Sequence, residues 1–218
     1  MSRFIHRHDD RQLRSFAPSF YEDGYINGTH ARLLERVANI PGKLEPADQY
    51  KLYEAAYFAK GAVLEVGRLT GKSTLLLALG ARDAGHPHPI FSIELGHRHI
   101  AAAEEHLRLF GLLDRVTFVQ GNSSVQIPRL SSSYDVIFID GDHSYDGVRR
   151  DVEALLGRLA EGAVVMFHDF YHPGNDDPEN ENYGVRQAVH DMTGAAGLSF
   201  RGRFGAIALF EHRPGSGA

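Results

Sequence analysis

Residues Ala62 to Ala78, AVLEVGRLTGKSTLLLA, carry the first spacing that could do chemistry. An apolar run too short for a helix reaches Glu65, breaks at Gly67 and Gly71, and resumes at Ser73 with a leucine-rich helical pattern. This reads as strand, tight glycine turn, helix. Glycine has no Cβ, so backbone N–H groups at such a turn can approach a ligand closely, and the helix start adds a partial positive charge. A polar or anionic ligand is expected there, and three nucleotide-type ligands compete for it. GRLTGKS almost spells a phosphate-binding loop, with Asp135 to Asp140, DVIFID, as its apolar magnesium-binding strand. A Walker loop, however, places four residues between its glycines, whereas Gly67 and Gly71 enclose three, Arg68, Leu69 and Thr70. A dinucleotide fingerprint fails because Leu69 stands where its second glycine belongs. What remains is E-x-G-x-x-x-G at the strand end and a second acid, Glu94, after the next strand. That pair suits a neutral or cationic nucleoside. A carboxylate at Glu94 can accept hydrogen bonds from both hydroxyls of a ribose, although an acid favoured by a helix dipole would look the same.

The elements that must position these residues follow from an alternating pattern. Strands are expected at Ala62 to Val66, Ile90 to Glu94, Val116 to Gln120, Asp135 to Asp140 and Ala163 to His168, with amphipathic helices between them, which implies a mainly parallel sheet. Leu198 to Arg201 and Ala206 to Phe210, joined through Gly202 to Gly205, read as a closing hairpin that adds an antiparallel edge. Ligands of such sheets sit beyond the carboxyl ends of the strands, where Gly67, Glu94, Asn122, Asp140 and Asp169 all fall. Helices are expected at Thr29 to Ile40 and Pro46 to Ala59, separated by Pro41 and Gly42. Residues Met1 to Asn27 show no clean periodicity and read either as an arm over the domain or a partner subunit, or as a partly ordered tail.

At 218 residues, 43% hydrophobic and 23% charged, the chain can bury one substantial core. It divides into an N-terminal arm and helix, residues 1–43, and one domain, residues 44–218. A net charge of -5 gives no basic footprint for nucleic acid, and no apolar stretch is long enough to span a membrane. There is no cysteine, so disulfides and thiol chemistry are excluded. Met1 to Ser19 lacks the apolar core of a secretory signal, so a cytoplasmic location is expected.

Glu65-Val66-Gly67, Gly71-Lys72-Ser73, Ile93-Glu94, Gly121-Asn122-Ser123 and Phe138-Ile139-Asp140-Gly141-Asp142-His143-Ser144-Tyr145 occur in the order found in class I S-adenosylmethionine-dependent methyltransferases. Over about Leu44 to the C-terminus the chain resembles the small-molecule O-methyltransferases of the catechol and caffeoyl-coenzyme A type, in the branch with DGDHSY and a following His-Asp pair. The resemblance implies an α/β Rossmann-like fold, with a mainly parallel seven-stranded sheet, a C-terminal antiparallel hairpin and helices on both faces. It implies S-adenosylmethionine as cofactor, held by Glu65, Gly67, Arg68, Gly71, Ser73, Glu94, Asn122, Ser123 and Asp140. Within this set Glu65 would serve the methionyl amino group, directly or through water, and Asn122 and Ser123 the adenine edge. A turn-forming Asn-Ser pair, or a Ser73 that merely starts its helix, would read the same.

In the resembling metal-dependent enzymes one ligand ends the fourth strand and two adjacent ligands end the fifth. Those positions carry Asp140, His168 and Asp169 here, where the catechol-type pattern has Asp, Asp and Asn. Carboxylates and water suit Mg²⁺, while an imidazole shifts preference toward Mn²⁺, Fe²⁺ or Zn²⁺. Asp142 is a further candidate ligand. His143 stands where the resembling enzymes have a lysine base, and imidazole titrates near neutrality. The plainer alternative is that Asp142-His143-Ser144 is a hydrogen-bonded loop.

The acidic, proline-punctuated stretch Tyr171 to Tyr183 is expected to be a surface loop, either solvated or a substrate lid contacting through Tyr171, His172 and Tyr183. His97, His99, His86, His88 and His106 read as surface residues rather than zinc ligands. The expected activity is methylation of a small molecule at oxygen, assisted by a divalent ion and carried out by a monomer or homo-oligomer. Two other readings remain. One is a methyltransferase-like protein with different metal chemistry, hydroxylase-like, or no turnover. The other is a P-loop phosphotransferase using Lys72.

Overall fold

The computed structural model describes residues 32–213 apart from 131–132 and 178. The arm expected over residues 1–27, the start of the first expected helix and the C-terminal GSGA lie outside the described residues. Among these residues the first helix, α1, spans Leu33–Val37. Helix α2, Pro46–Tyr57, opens as the sequence dictates, with Pro46 in the first turn and a capping box in which Glu45 and Asp48 satisfy each other's backbone N–H groups.

The sheet strands are β1 (Ala62–Val66), β2 (Ile90–Glu94), β3 (Val116–Gln120), β4 (Tyr134–Ile139), β5 (Leu159–Phe167), β6 (Leu198–Phe204) and β7 (Ile207–His212). Between them run α3 (Lys72–Asp83), α4 (Ile100–Leu109), α5 (Ser123–Gln126), α6 (Tyr145–Leu155) and α7 (Val185–Met192). The seven strands lie in the order β3-β2-β1-β4-β5-β7-β6, all parallel except β7, which runs antiparallel to β5 and β6. Because β1 pairs with both β2 and β4, the order reverses there and opens a crevice at the carboxyl ends.

Each central strand is apolar on both faces because helices cover both. Val63, Val136, Phe138 and Met166 pack with α2 and α3 on one side. Leu64, Val66, Ile137 and Val165 pack with α6 and α7 on the other.

The first three strands have the expected bounds, whereas each of the later four differs, β7 running from Ile207 to His212 rather than from Ala206 to Phe210. β4 runs from Tyr134 to Ile139, so Asp140 is the first residue beyond it. β5 begins at Leu159 rather than Ala163, because Leu159 pairs with Tyr134 ahead of a register shift and the strand continues through Gly162 at φ 70°. Gly202, read as part of a loop, is instead paired with Leu209 in β6, and the hairpin turn narrows to Gly205 and Ala206. In both places strand pairing overrides the local glycine signal.

Candidate active site

The turn after β1 is shaped by close backbone approach. Gly67 has φ 82°, and a Cβ on it would come 2.1 Å from the Asp140 carbonyl oxygen. Its N–H donates to Ile93 O at 2.9 Å, while Asp140 N–H donates to Val66 O at 2.8 Å. Gly67 thus lets three strand ends converge. Gly71, at φ 86°, faces α4, where a Cβ would meet the Ala103 Cβ at 2.8 Å. Gly71 itself lies behind the cavity wall, which its neighbours Thr70 and Lys72 line. Its conformation serves helix packing and leaves the start of α3 without a side-chain cap.

A cavity of about 540 Å³ opens at the crevice, within the range of small-molecule sites. One end contains Glu94, Asn122 and Ser123, and the other, acidic end Asp140, His143, His168 and Asp169. Glu94 Oε2 accepts the N–H groups of Arg68 and Leu69 at 3.1 and 3.2 Å, and Oε1 that of Gly96 at 3.1 Å. A carboxylate offers about four acceptor sites, so a ribose diol docking there shares this carboxylate with the turn. The Arg68 side chain, 2% exposed, is spent elsewhere: Nη1 donates to Ser92 O at 2.9 Å, and the guanidinium lies 4.9 Å from the Phe118 ring centroid. Asn122 caps α5, its Oδ1 accepting from Ser124 N–H at 3.0 Å. Ser123 donates to the carboxylate of Asp151.

Glu65 lies behind the cavity wall. It is completely buried, outside the cavity wall, and its Oε2 accepts the hydroxyls of Thr74 at 2.6 Å and Ser92 at 2.5 Å. Burial pushes its carboxyl pKa up, against the Ser73, Ser92 and Thr74 hydroxyls that favour the charged form. Of the hydroxyls around it, that of Ser73 belongs to a residue lining the cavity wall.

At the other end Asp140 Oδ1 lies 3.2 Å from His143 Nε2 and 2.9 Å from His168 Nδ1. Asp169, held at φ 53°, places Oδ2 3.7 Å from His143 Nε2 and Oδ1 3.4 Å from His168 Nδ1. Among the described residues the compact set of potential ligands is Asp140, His143 and His168, whose donor atoms lie within 4.8 Å of one another. Two of the expected ligands, Asp140 and His168, belong to this set together with His143, the expected base, while the third expected ligand, Asp169, borders it. Burial works to raise Asp140, but the hydrogen bonds and charge of His143 and His168 outweigh it and hold its pKa below the carboxylate range. The hydrogen bond to Asp140 pushes His143 up. Burial opposes protonation of His168, yet the flanking Asp140 and Asp48 carboxylates push it up to about 10.

The described part of the 171–183 segment contains a 3-10 turn at Pro173–Asp176 and otherwise no helix or strand. Only Tyr183 of its three proposed contacts lines the cavity; it stacks on His143 at 5.6 Å and on His172 at 4.0 Å. Tyr171 turns away beneath Arg203, whose guanidinium lies 4.1 Å from its ring. Among the described residues the remaining candidate histidines join no ligand group: His86 Nε2 lies 2.8 Å from Tyr57 O, and His106 Nδ1 2.8 Å from Thr70 O.

Three residues escaped the sequence reading. Asp151, 3% exposed, carries a carboxyl pushed up to about 6 by burial, with the Ser123 hydrogen bond opposing the shift. Its signal was an acid on an apolar helical stripe with Val148, Val152 and Leu155. Lys72, read only as a P-loop lysine, is 9% exposed on the cavity wall, with no hydrogen bond or ion pair among the described residues. Burial lowers its pKa. Asp48 touches His168 from behind, at 3.5 Å.

Comparison with known proteins agrees with this geometry. Residues 64–170 match a family described as a methyltransferase domain, and they contain every strand end that lines the cavity. The fold is that of the class I methyltransferases. An O-methyltransferase from Bacillus cereus, solved in complex with SAH (S-adenosylhomocysteine), superposes with a TM-score of 0.67 at 21% identity, over 91% of this chain and 99% of that one. The catechol O-methyltransferase of Mycobacterium tuberculosis is 37% identical over 121 residues, covering 55% of this chain and 53% of that protein. The catechol O-methyltransferase of Bos taurus is 33% identical over 124 residues, covering 53% and 43% respectively. The chain therefore spans about half the length of the curated catechol enzymes it matches.

Proposed function

We propose that this chain is an S-adenosylmethionine-dependent O-methyltransferase of a small molecule, with a divalent ion held at the acidic end of its cavity. The observation that carries the reading is one cavity that joins Glu94, beside the glycine turn, to the Asp140–His168 cluster. The nucleoside would lie at Glu94, Asn122 and Ser123. Its methionyl carboxylate would meet Lys72 and the start of α3, where a cation without a partner among the described residues and a helix N-terminus without a side-chain cap coincide.

The acidic end fits a metal by its own chemistry. His168 is 6% exposed, and among the described residues its ring nitrogens face only carboxylates and make no well-aligned hydrogen bond, with Nδ1 2.9 Å from Asp140 Oδ1 and Nε2 3.5 Å from Asp48 Oδ2. A buried unpaired nitrogen costs about 1–3 kcal/mol, which a shared cation offsets. We assign Asp140, His168 and Asp169 as ligands, the ion supplying a lowered pKa to the acceptor hydroxyl. His143 takes the hydroxyl proton. The oxygen then forms its bond to the methyl carbon as the carbon–sulfur bond breaks, and the electron pair stays on sulfur. Tyr183, stacked flat on His143 at an interplanar angle of 3°, fixes the plane of the base.

One observation favours a second reading: an imidazole stands in the ligand set where the catechol-type pattern has a carboxylate, which suits metal chemistry other than methyl transfer. The experiment is mass spectrometry of an acceptor panel with the full chain, S-adenosylmethionine and Mg²⁺ or Mn²⁺. A gain of one methyl on a hydroxyl is expected, lost on chelation and in Asp169→Ala. His143→Ala should lose turnover while keeping metal affinity. If chelation and Asp169→Ala both leave turnover intact, the metal assignment is wrong while the methyltransferase assignment stands.

A further inference from the structure

Asp48 sits in the first turn of α2, completely buried, with its two carboxylate oxygens committed in different directions. Oδ2 accepts the Glu45 N–H at 2.7 Å, and Oδ1 accepts the Ala206 N–H of the β6–β7 turn at 3.0 Å. Gly205 in that turn has φ 58°, and a Cβ there would come 2.6 Å from Asp48 Oδ1, so the turn is bare where the carboxylate passes. Asp48 is therefore clamped between a helix start and a hairpin.

The same Oδ2 lies 3.5 Å from His168 Nε2. The other edge of that ring, Nδ1, faces Asp140 and Asp169 at 2.9 and 3.4 Å. A neutral imidazole carries one N–H and one lone pair, and a carboxylate at one nitrogen decides which is which.

We propose that Asp48 is a positioning residue for the metal: it takes the Nε2–H of His168, fixes Nδ1 as the ligating nitrogen and strengthens it as a donor. The proposal rests on the reading of the cluster as a metal site. The ligand is thereby oriented by α2 and the C-terminal hairpin, elements remote in sequence from Asp140 and His143. The competing account is that Asp48 only joins α2 to the hairpin, with His168 as a bystander.

The test measures Mn²⁺ binding to the full chain by the spin-resonance signal of the free ion, in wild type, Asp48→Asn, His168→Asp and the double variant. Asp48→Asn should weaken Mn²⁺ binding about 10- to 100-fold in the wild-type background. In the His168→Asp background there is no imidazole to orient, and the same change should leave affinity unchanged or improve it. Equal weakening in both backgrounds, or none in wild type, overturns the proposal. If wild type binds Mn²⁺ while Asp48→Asn does not fold, the wild-type protein loaded with Zn²⁺ still decides. Its long-range ¹H–¹⁵N spectrum should show His168 protonated at Nε2 and metallated at Nδ1; the reverse assignment overturns the proposal. A wild-type chain that binds neither ion removes the metal reading and this inference together.

Discussion

Asp151 brings its carboxyl to the cavity from the apolar stripe of α6, and burial holds its pKa at about 6, above the usual value near 3.9 for an unfolded chain. Between those two values the folded protein keeps a proton that the unfolded chain has released. Its contribution to stability is therefore largest below pH ~4 and is lost as pH rises toward 6. Asp151→Asn keeps an acceptor for Ser123 and removes this cost. It should raise the melting temperature at pH 7.5, by a margin on the order of 2 kcal/mol in stability, and give no gain at pH 4. A gain of equal size at both pH values would contradict the assignment. At Lys72 the contrast is between ligands. Lys72→Met should weaken S-adenosylhomocysteine about tenfold or more, since a charge-assisted bond is worth ~1.5–3 kcal/mol, and spare 5′-methylthioadenosine, which lacks the carboxylate. Equal weakening of both in calorimetry would assign Lys72 a structural role instead. Residues at strand ends, such as Asp140 and Glu94, were legible because an apolar run announces where the chain leaves the sheet. Asp48 was not, because its partner His168 is brought to it only by the fold, and the same holds for the Ser92 and Thr74 hydroxyls around Glu65.

Helix α3 tests the account at the level of elements. Gly80 lies inside it, where alanine would be the better helix former by about 1 kcal/mol. A Cβ there would fall 2.2 Å from Tyr53 O and 3.0 Å from Tyr57 N, so α2 packs directly on the bare backbone. Gly80→Ala should therefore destabilise the protein by about 1–3 kcal/mol, read as a lowered midpoint in urea. An unchanged or raised midpoint would show that the helices can part without cost. The same contest between local propensity and packing explains what the sequence concealed. β1, β2 and β3 are short apolar runs closed by polar residues, and their ends were readable. Gly162 and Gly202 look like breakers, yet each is held within a paired strand, so β5 and β6 are longer than their composition suggests.

Over the whole molecule, the reversal of strand order at β1 places the turn after β1, Glu94 and Asp140 around one crevice. That convergence was legible from the alternation of strands and helices and the acids at their ends. The closing role of the hairpin, which reaches the site through Asp48, was not. Among the described residues no helix is long and apolar enough to cross a membrane. The phosphotransferase alternative has little support, since the loop is one residue short and the catechol relatives and the Bacillus cereus structural neighbour are O-methyltransferases.

The most direct test of the central claim is titration calorimetry of the full chain with S-adenosylhomocysteine, in wild type and Glu94→Ala, with ATP as competitor. The account predicts saturable one-to-one binding that ATP does not displace and that Glu94→Ala weakens at least about tenfold, the loss of ~1.5–3 kcal/mol expected for hydrogen bonds to a charged group. No heat at high protein concentration, or displacement by ATP, would contradict it.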